Sequence, residues 1–81
     1  MSKVIREINI YPLDDDFAVS KIILNQNQFS ILKENLNNND DKNYSYVYPV
    51  TLKDCLHANI IIPSEYRKEG FEFHLVTYEN S

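Results

Sequence analysis

The stretch FEFHLVTY, residues Phe71–Tyr78, has the clearest secondary-structure pattern in the chain. Its odd-numbered positions are apolar up to Leu75, whereas its even-numbered positions begin with Glu72 and His74. An alternation with a period of two residues predicts a β-strand that buries one face. The rest of the chain must therefore supply partner strands and a covering layer.

Four further stretches favour strands, and they are Val4–Tyr11, Phe17–Leu24, Tyr44–Val50 and Asn59–Ile62. Pro12 ends the first strand, because proline cannot donate to a β-ladder. The aspartates that follow favour a tight turn, so the first two strands are expected to form an antiparallel hairpin. The second strand is apolar on both faces, which predicts a central position in the sheet. Pro49 predicts a sheet edge for the third.

The stretch Asn25–Asn37 favours the one convincing helix, with Asn25 or Asn27 as its N-cap. Its apolar positions recur at the spacing of a single helix face, and they are Phe29, Leu32 and Leu36. The polar run that begins at Asn37 ends the helix, since asparagine and aspartate side chains compete for backbone hydrogen bonds.

Two short segments complete the order of elements. Thr51-Leu52-Lys53-Asp54 matches a capping box, so Thr51–Leu56 is predicted to form one helical turn. Pro63–Gly70 is predicted to be a turn that ends at Gly70, the only glycine. The order β-β-α-β-(short α)-β-β predicts an α+β fold, with a small antiparallel sheet of about five strands and one helix packed on one face.

Length and composition set further bounds. The chain has 81 residues, which suffices for one compact domain spanning residues 1–81. Hydrophobic residues make up 43% and the net charge is −4, both ordinary for a globular domain. With one cysteine, no intrachain disulfide can form.

Several function classes lack their sequence signals. A single glycine excludes the usual glycine-rich phosphate loops. The basic residues are scattered, with Arg67-Lys68 as the only adjacent pair, so direct binding to nucleic acid is not expected. Met1–Glu7 lacks the apolar segment of a signal peptide, and no aliphatic run approaches the length of a membrane span. We therefore expect a cytoplasmic protein that has no membrane contact and no cofactor.

Three residues raise the possibility of catalysis or metal binding. Cys55 and His57 are near neighbours in the sequence, and His74 lies in the last strand. A Cys–His pair requires direct contact, and side chains two positions apart on a helix do not meet. We therefore expect no enzyme, and a small Cys/His enzyme or metal protein stays an alternative.

Two groups of residues are candidates for a protein interface. The first is an alternating row on one face of the third strand, namely Tyr44, Tyr46 and Tyr48, which would form either an interface or half-buried core. The second is acidic, namely Asp14, Asp15, Asp16, Glu34, Asp40 and Asp41. Carboxylates on one surface would steer the domain to a basic groove of a larger protein.

Amino-acid usage hints at the source. Phe, Tyr, Met, Ile, Asn and Lys, which have AT-rich codons, number 36, whereas Gly, Ala, Arg and Pro number 8. This skew suggests a low-GC bacterium or one of its phages or plasmids.

Our leading hypothesis is a small acidic, non-catalytic protein-binding module. A phage- or mobile-element-encoded inhibitor would act in the host cytoplasm on, for example, a nucleic-acid-processing defence enzyme. The alternative is a self-associating module, such as a homodimer through an edge strand.

Overall fold

The computed structural model describes residues 3–36 and 47–80, and it has the predicted α+β class. In these two ranges, one antiparallel sheet of four strands is combined with two helices and a single 3₁₀ turn. In chain order the elements are β1 (Lys3–Pro12), β2 (Ser20–Ile23), α1 (Gln26–Leu36), β3 (Tyr48–Val50), α2 (Leu52–His57), the 3₁₀ turn (Ser64–Tyr66) and β4 (Phe71–Asn80).

The sheet has the strand order β2-β1-β4-β3. Its centre is the long antiparallel pair β1–β4, whose register runs from Lys3 opposite Asn80 to Pro12 opposite Phe71. The predicted central position of the second strand is wrong, because β4 occupies the other side of β1 along all of its length. Only Ser20–Ile23 of the predicted second strand pairs with β1, and it forms one edge.

The prediction of a strand at Asn59–Ile62 is also wrong, so the described sheet has four strands and not five. This segment does alternate, since Ile60 and Ile62 are buried and Ile61 is exposed. Its backbone groups, however, bond to other elements: the Ile60 N–H donates to the Cys55 carbonyl at 3.0 Å. The Ile62 carbonyl accepts from Arg67 Nε at 2.6 Å. The alternation therefore reflects burial against the core without pairing in the sheet.

The predicted helix is confirmed as α1. Asn25 is its N-cap, since the Gln28 N–H donates to Asn25 Oδ1 at 2.8 Å and the Asn25 N–H donates to Gln28 Oε1 at 2.9 Å. Phe29 and Leu32 are buried, as the helical spacing predicts. The capping box before α2 is confirmed too, because Thr51 Oγ1 accepts from the Asp54 N–H at 3.0 Å.

Both helices pack on the same face of the sheet. The buried hydrophobic cluster joins the two helices, the segment after α2 and the inward positions of the strands; it comprises Ile8, Ile10, Leu24, Phe29, Leu32, Val50, Cys55, Ala58, Ile60, Ile62, Phe73 and Leu75. Arg6 interrupts the apolar positions of β1 on this face. Its guanidinium carbon lies 3.8 Å from the centre of the Phe29 ring, so the charge sits over an aromatic face at the margin of the core.

Candidate functional site

The loop between β1 and β2, residues 13–19, carries the most exposed aromatic side chain of the described chain. The Phe17 side chain is 78% exposed and that of Leu13 is 62% exposed. Between them lie Asp14, Asp15 and Asp16, which are all exposed. We call residues 13–19 the anchor loop, because large apolar groups and three carboxylates project together from a single short segment.

Backbone hydrogen bonds hold the anchor loop at both ends. The Leu13 N–H donates to the Gly70 carbonyl at 3.0 Å, and the Val19 N–H donates to the Ile10 carbonyl at 2.8 Å. Inside the loop, Asp15 Oδ1 accepts from the Phe17 N–H at 3.1 Å, which closes an Asx turn. The Asp15 N–H donates to the Pro12 carbonyl at 3.1 Å. The backbone that carries Phe17 is thus constrained although its ring is in solvent.

Of the other acidic and aromatic candidates, the structure describes Glu34 and Tyr48. Glu34 is exposed on α1. Tyr48 is half-buried and packs against the hydrophobic cluster. Of the two alternatives for the tyrosine row, this residue therefore fits the half-buried core. The remaining four candidates lie outside the described residues, and they are Asp40, Asp41, Tyr44 and Tyr46.

The second notable surface is the sheet face that neither helix of the described residues covers, which we call the uncovered face. Strand alternation and the β1–β4 register place Glu7, Asn9 and Tyr11 of β1 on this face together with His74, Val76 and Tyr78 of β4. Glu7 and Asn9 are buried although they are polar. No sequence pattern marked them as functional, and their only signal is their alternation with the core residues Ile8 and Ile10.

The Glu7 carboxylate and the Tyr78 hydroxyl form a pair on the uncovered face. The hydroxyl donates to Glu7 Oε2 at 3.3 Å. Desolvation, followed by the charge of Glu7 and this hydrogen bond, raises the pKa of Tyr78 above its ordinary value. The phenol therefore stays a hydrogen-bond donor at neutral pH.

The Cys/His constellation is not assembled. Cys55 is fully buried in α2, and burial together with the nearby Asp54 carboxylate raises the pKa of its thiol to about 12. His57 is exposed at the end of α2. His74 lies on the other side of the sheet, where Glu72 Oε2 is 3.4 Å from its Nε2 and the Tyr11 ring centre is 5.0 Å from its own. Within residues 3–36 and 47–80, no three His, Cys, Asp or Glu side chains are grouped to hold a metal ion.

A groove of about 580 Å³ lies where β3 and the start of β4 meet the segment before β4. Its floor includes Val50, Phe71 and Phe73, and its margin includes Lys68 and Glu69. Charges of both signs stand side by side at this margin, so the groove does not select an anionic or a cationic ligand.

Two further findings concern membrane spans and similarity to known proteins. In the part of the chain that the structure describes, no helix has both the length and the apolar character needed to cross a membrane. Searches against protein-family models, curated proteins and solved structures find no match to this chain.

Proposed function

We propose that this chain is a small acidic, non-catalytic protein-binding module that inhibits or regulates a larger protein by docking on a basic groove. The observation that carries the proposal is the anchor loop, in which the exposed Phe17 ring is flanked by three exposed carboxylates. Aromatic anchors surrounded by polar groups are typical of the residues that dominate protein-binding energy.

The restraint of the loop supports this role. When a mobile loop binds, the entropy lost on ordering it weakens the affinity. A loop that hydrogen bonds already hold in place loses less entropy on binding. Four backbone hydrogen bonds restrain the anchor loop, one of them to the Asp15 side chain. Transfer of an exposed phenylalanine ring into an apolar pocket contributes about 1.5–3 kcal/mol. The carboxylates add long-range attraction to a basic partner, which raises the association rate at low salt.

Self-association through a sheet edge has weaker support. The edge strand β2 has four residues and carries the exposed Lys21, and the edge strand β3 has three residues with Pro49 in the middle. Short edges with a lysine or proline resist pairing with another strand. A Cys/His enzyme is supported less still, because the Cys55 thiol is buried and the raised pKa leaves almost no thiolate.

The test is a pull-down from a low-GC bacterial lysate with the wild-type chain and two matched variants. Phe17→Ser removes the anchor, and Ile61→Ser removes an apolar side chain that is equally exposed, at 78%, in a distant segment. We expect a partner, identified by mass spectrometry, that wild type and I61S retain and F17S loses. Retention of that partner by F17S, or no partner at low salt, would overturn the proposal.

A second pair of variants tests the electrostatic part. Asp14→Asn with Asp16→Asn removes two charges from the anchor loop and spares the Asx turn of Asp15. Glu65→Gln with Glu79→Gln removes two exposed charges away from the anchor loop. Only the first pair should slow association at low salt, and the difference should vanish at high salt.

A further inference from the structure

We propose that the uncovered face of the sheet binds the guanidinium group of one arginine side chain from a partner protein, between Glu7 and Asn9. This inference concerns a surface other than the anchor loop and rests on different observations. It holds or fails whatever the role of Phe17.

The first observation is a buried carboxylate without a local counter-charge. The Glu7 side chain is only 5% exposed, and its register neighbours across the sheet are Ile23 and Val76. Its one hydrogen bond to a described side chain is the 3.3 Å contact from Tyr78. Among the described residues no cationic side chain forms an ion pair with it. A buried carboxylate is stable when cations or several donors satisfy its oxygens, and here the described side chains supply one donor, the Tyr78 hydroxyl.

The second observation is an unsatisfied acceptor beside it. Asn9 lies two positions along the same strand, and its side chain is 6% exposed. Its Oδ1 atom is buried and accepts no hydrogen bond from any described residue. Alternate residues of a strand have Cα atoms roughly 6.6 Å apart, so Glu7 and Asn9 present neighbouring acceptors on one face. Both groups require donors, which identifies the missing ligand as a donor of positive charge.

The arrangement favours a guanidinium over an ammonium ion. A guanidinium spreads five N–H donors over a rigid plane, so it can bond a carboxylate and a second acceptor several ångströms away at the same time. An ammonium is a compact point charge with three donors and reaches separated acceptors less well. The neighbouring tyrosine ring suits the guanidinium as well, since Tyr78 is partly exposed and can stack against its plane.

The strand neighbours of the two acceptors on β2 are exposed side chains. Lys21 of β2 stands opposite Asn9 in the register, and Ile23 stands opposite Glu7. Both belong to the edge strand and are exposed, so their side chains can change rotamer beside an incoming arginine without moving the backbone.

The test is an NMR titration of the labelled full chain with N-acetyl-arginine amide, up to tens of millimolar. N-acetyl-citrulline amide, its uncharged isostere, is the ligand control. We expect saturable shifts confined to the Ile23 and Val76 methyl groups and the Tyr78 ring with the arginine compound alone. Glu7→Gln should weaken this binding about tenfold or more, because it removes the charge-assisted bonds.

The matched control is Glu72→Gln, which removes the same charge from the same face at a half-exposed position next to His74. It should change the affinity by less than about twofold, since exposed ion pairs contribute little. Equal shifts with the citrulline and arginine compounds, or no shifts in the wild-type chain, would overturn the proposal. This comparison of two ligands uses the wild-type chain, so it stands even if the Glu7 variant fails to fold. Equally tight binding of N-acetyl-lysine amide would overturn the assignment to arginine.

Discussion

Replacing Leu32 by alanine tests whether α1 holds the fold together. The Leu32 side chain is 0% exposed and lies in the hydrophobic cluster that joins α1 to the sheet. Loss of a buried leucine costs about 2–5 kcal/mol, from the lost transfer of apolar surface and the cavity left behind. A domain of 81 residues has a total unfolding free energy of roughly 4–12 kcal/mol. One truncation is therefore expected to remove a large part of the stability.

The assay is urea unfolding followed by circular dichroism, with Leu13→Ala as the matched control. Leu13 undergoes the same chemical change at a side chain that is 62% exposed, so its variant should lose less than about 0.5 kcal/mol. Leu32→Ala should lower the midpoint of unfolding with the m-value unchanged. In a thermal scan each kcal/mol lowers Tm by about 4–8 °C in a domain of this size.

Two results would refute the reasoning about the core. The first is a loss below about 1 kcal/mol for Leu32→Ala, which would mean that α1 packs loosely on the sheet. The second is an equal loss for Leu13→Ala, which would mean that the anchor loop is part of the core. A change in the m-value would show instead that the substitution altered the compactness of the native or unfolded state.

Three further predictions follow from individual sites. Thr51→Ala should lower the unfolding free energy by about 1 kcal/mol in urea unfolding, because the capping box of α2 loses its side-chain acceptor. Alkylation of native Cys55 by iodoacetamide at pH 8 should be about a thousandfold slower than in urea, since its pKa of about 12 leaves little thiolate. Tyr78 should ionise at higher pH in the folded than in the unfolded chain, as tyrosinate absorbance can measure. Because the unfolded chain loses this proton first, the contribution of Tyr78 to stability is full below pH about 10 and is lost as pH rises through the folded pKa.

The sequence predicts the local elements better than their partners. Periodicity found β4 and α1, and the capping pattern found α2, because each depends on residues close together in the chain. Position within the sheet depends on competition between distant strands. The apolar composition of residues 17–24 predicted a central strand, but β4 pairs with all of β1 and leaves β2 at the edge. Ile60 and Ile62 illustrate the same limit of sequence-based prediction. Their alternation with the exposed Ile61 indicates which side chains are buried, but it does not identify a strand partner.

The candidate sites were predictable only in part. The sequence predicts a turn at the three aspartates, as the structure has it, whereas it places Phe17 in a strand over Phe17–Leu24, because the apolar residues of that stretch fit both faces of a strand. In the structure the Phe17 N–H closes the Asx turn of Asp15, and β2 begins only at Ser20. Glu7 had no distinguishing signal, because a charged residue at an alternate strand position is ordinarily solvent-exposed.

The two proposed surfaces are close enough for one partner to cover both. Leu13 lies six positions after Glu7 along an extended strand, a distance of about 20 Å. A standard interface buries about 800 Å² on each side, about a seventh of the 5736 Å² exposed here, and spans more than that distance. Sites this far apart that share no side chains contribute additively to binding. If one partner contacts both, the losses in its binding free energy for Phe17→Ser and Glu7→Gln should add within about 0.5 kcal/mol in the double variant. An effect of only one of the two substitutions would assign the surfaces to different partners.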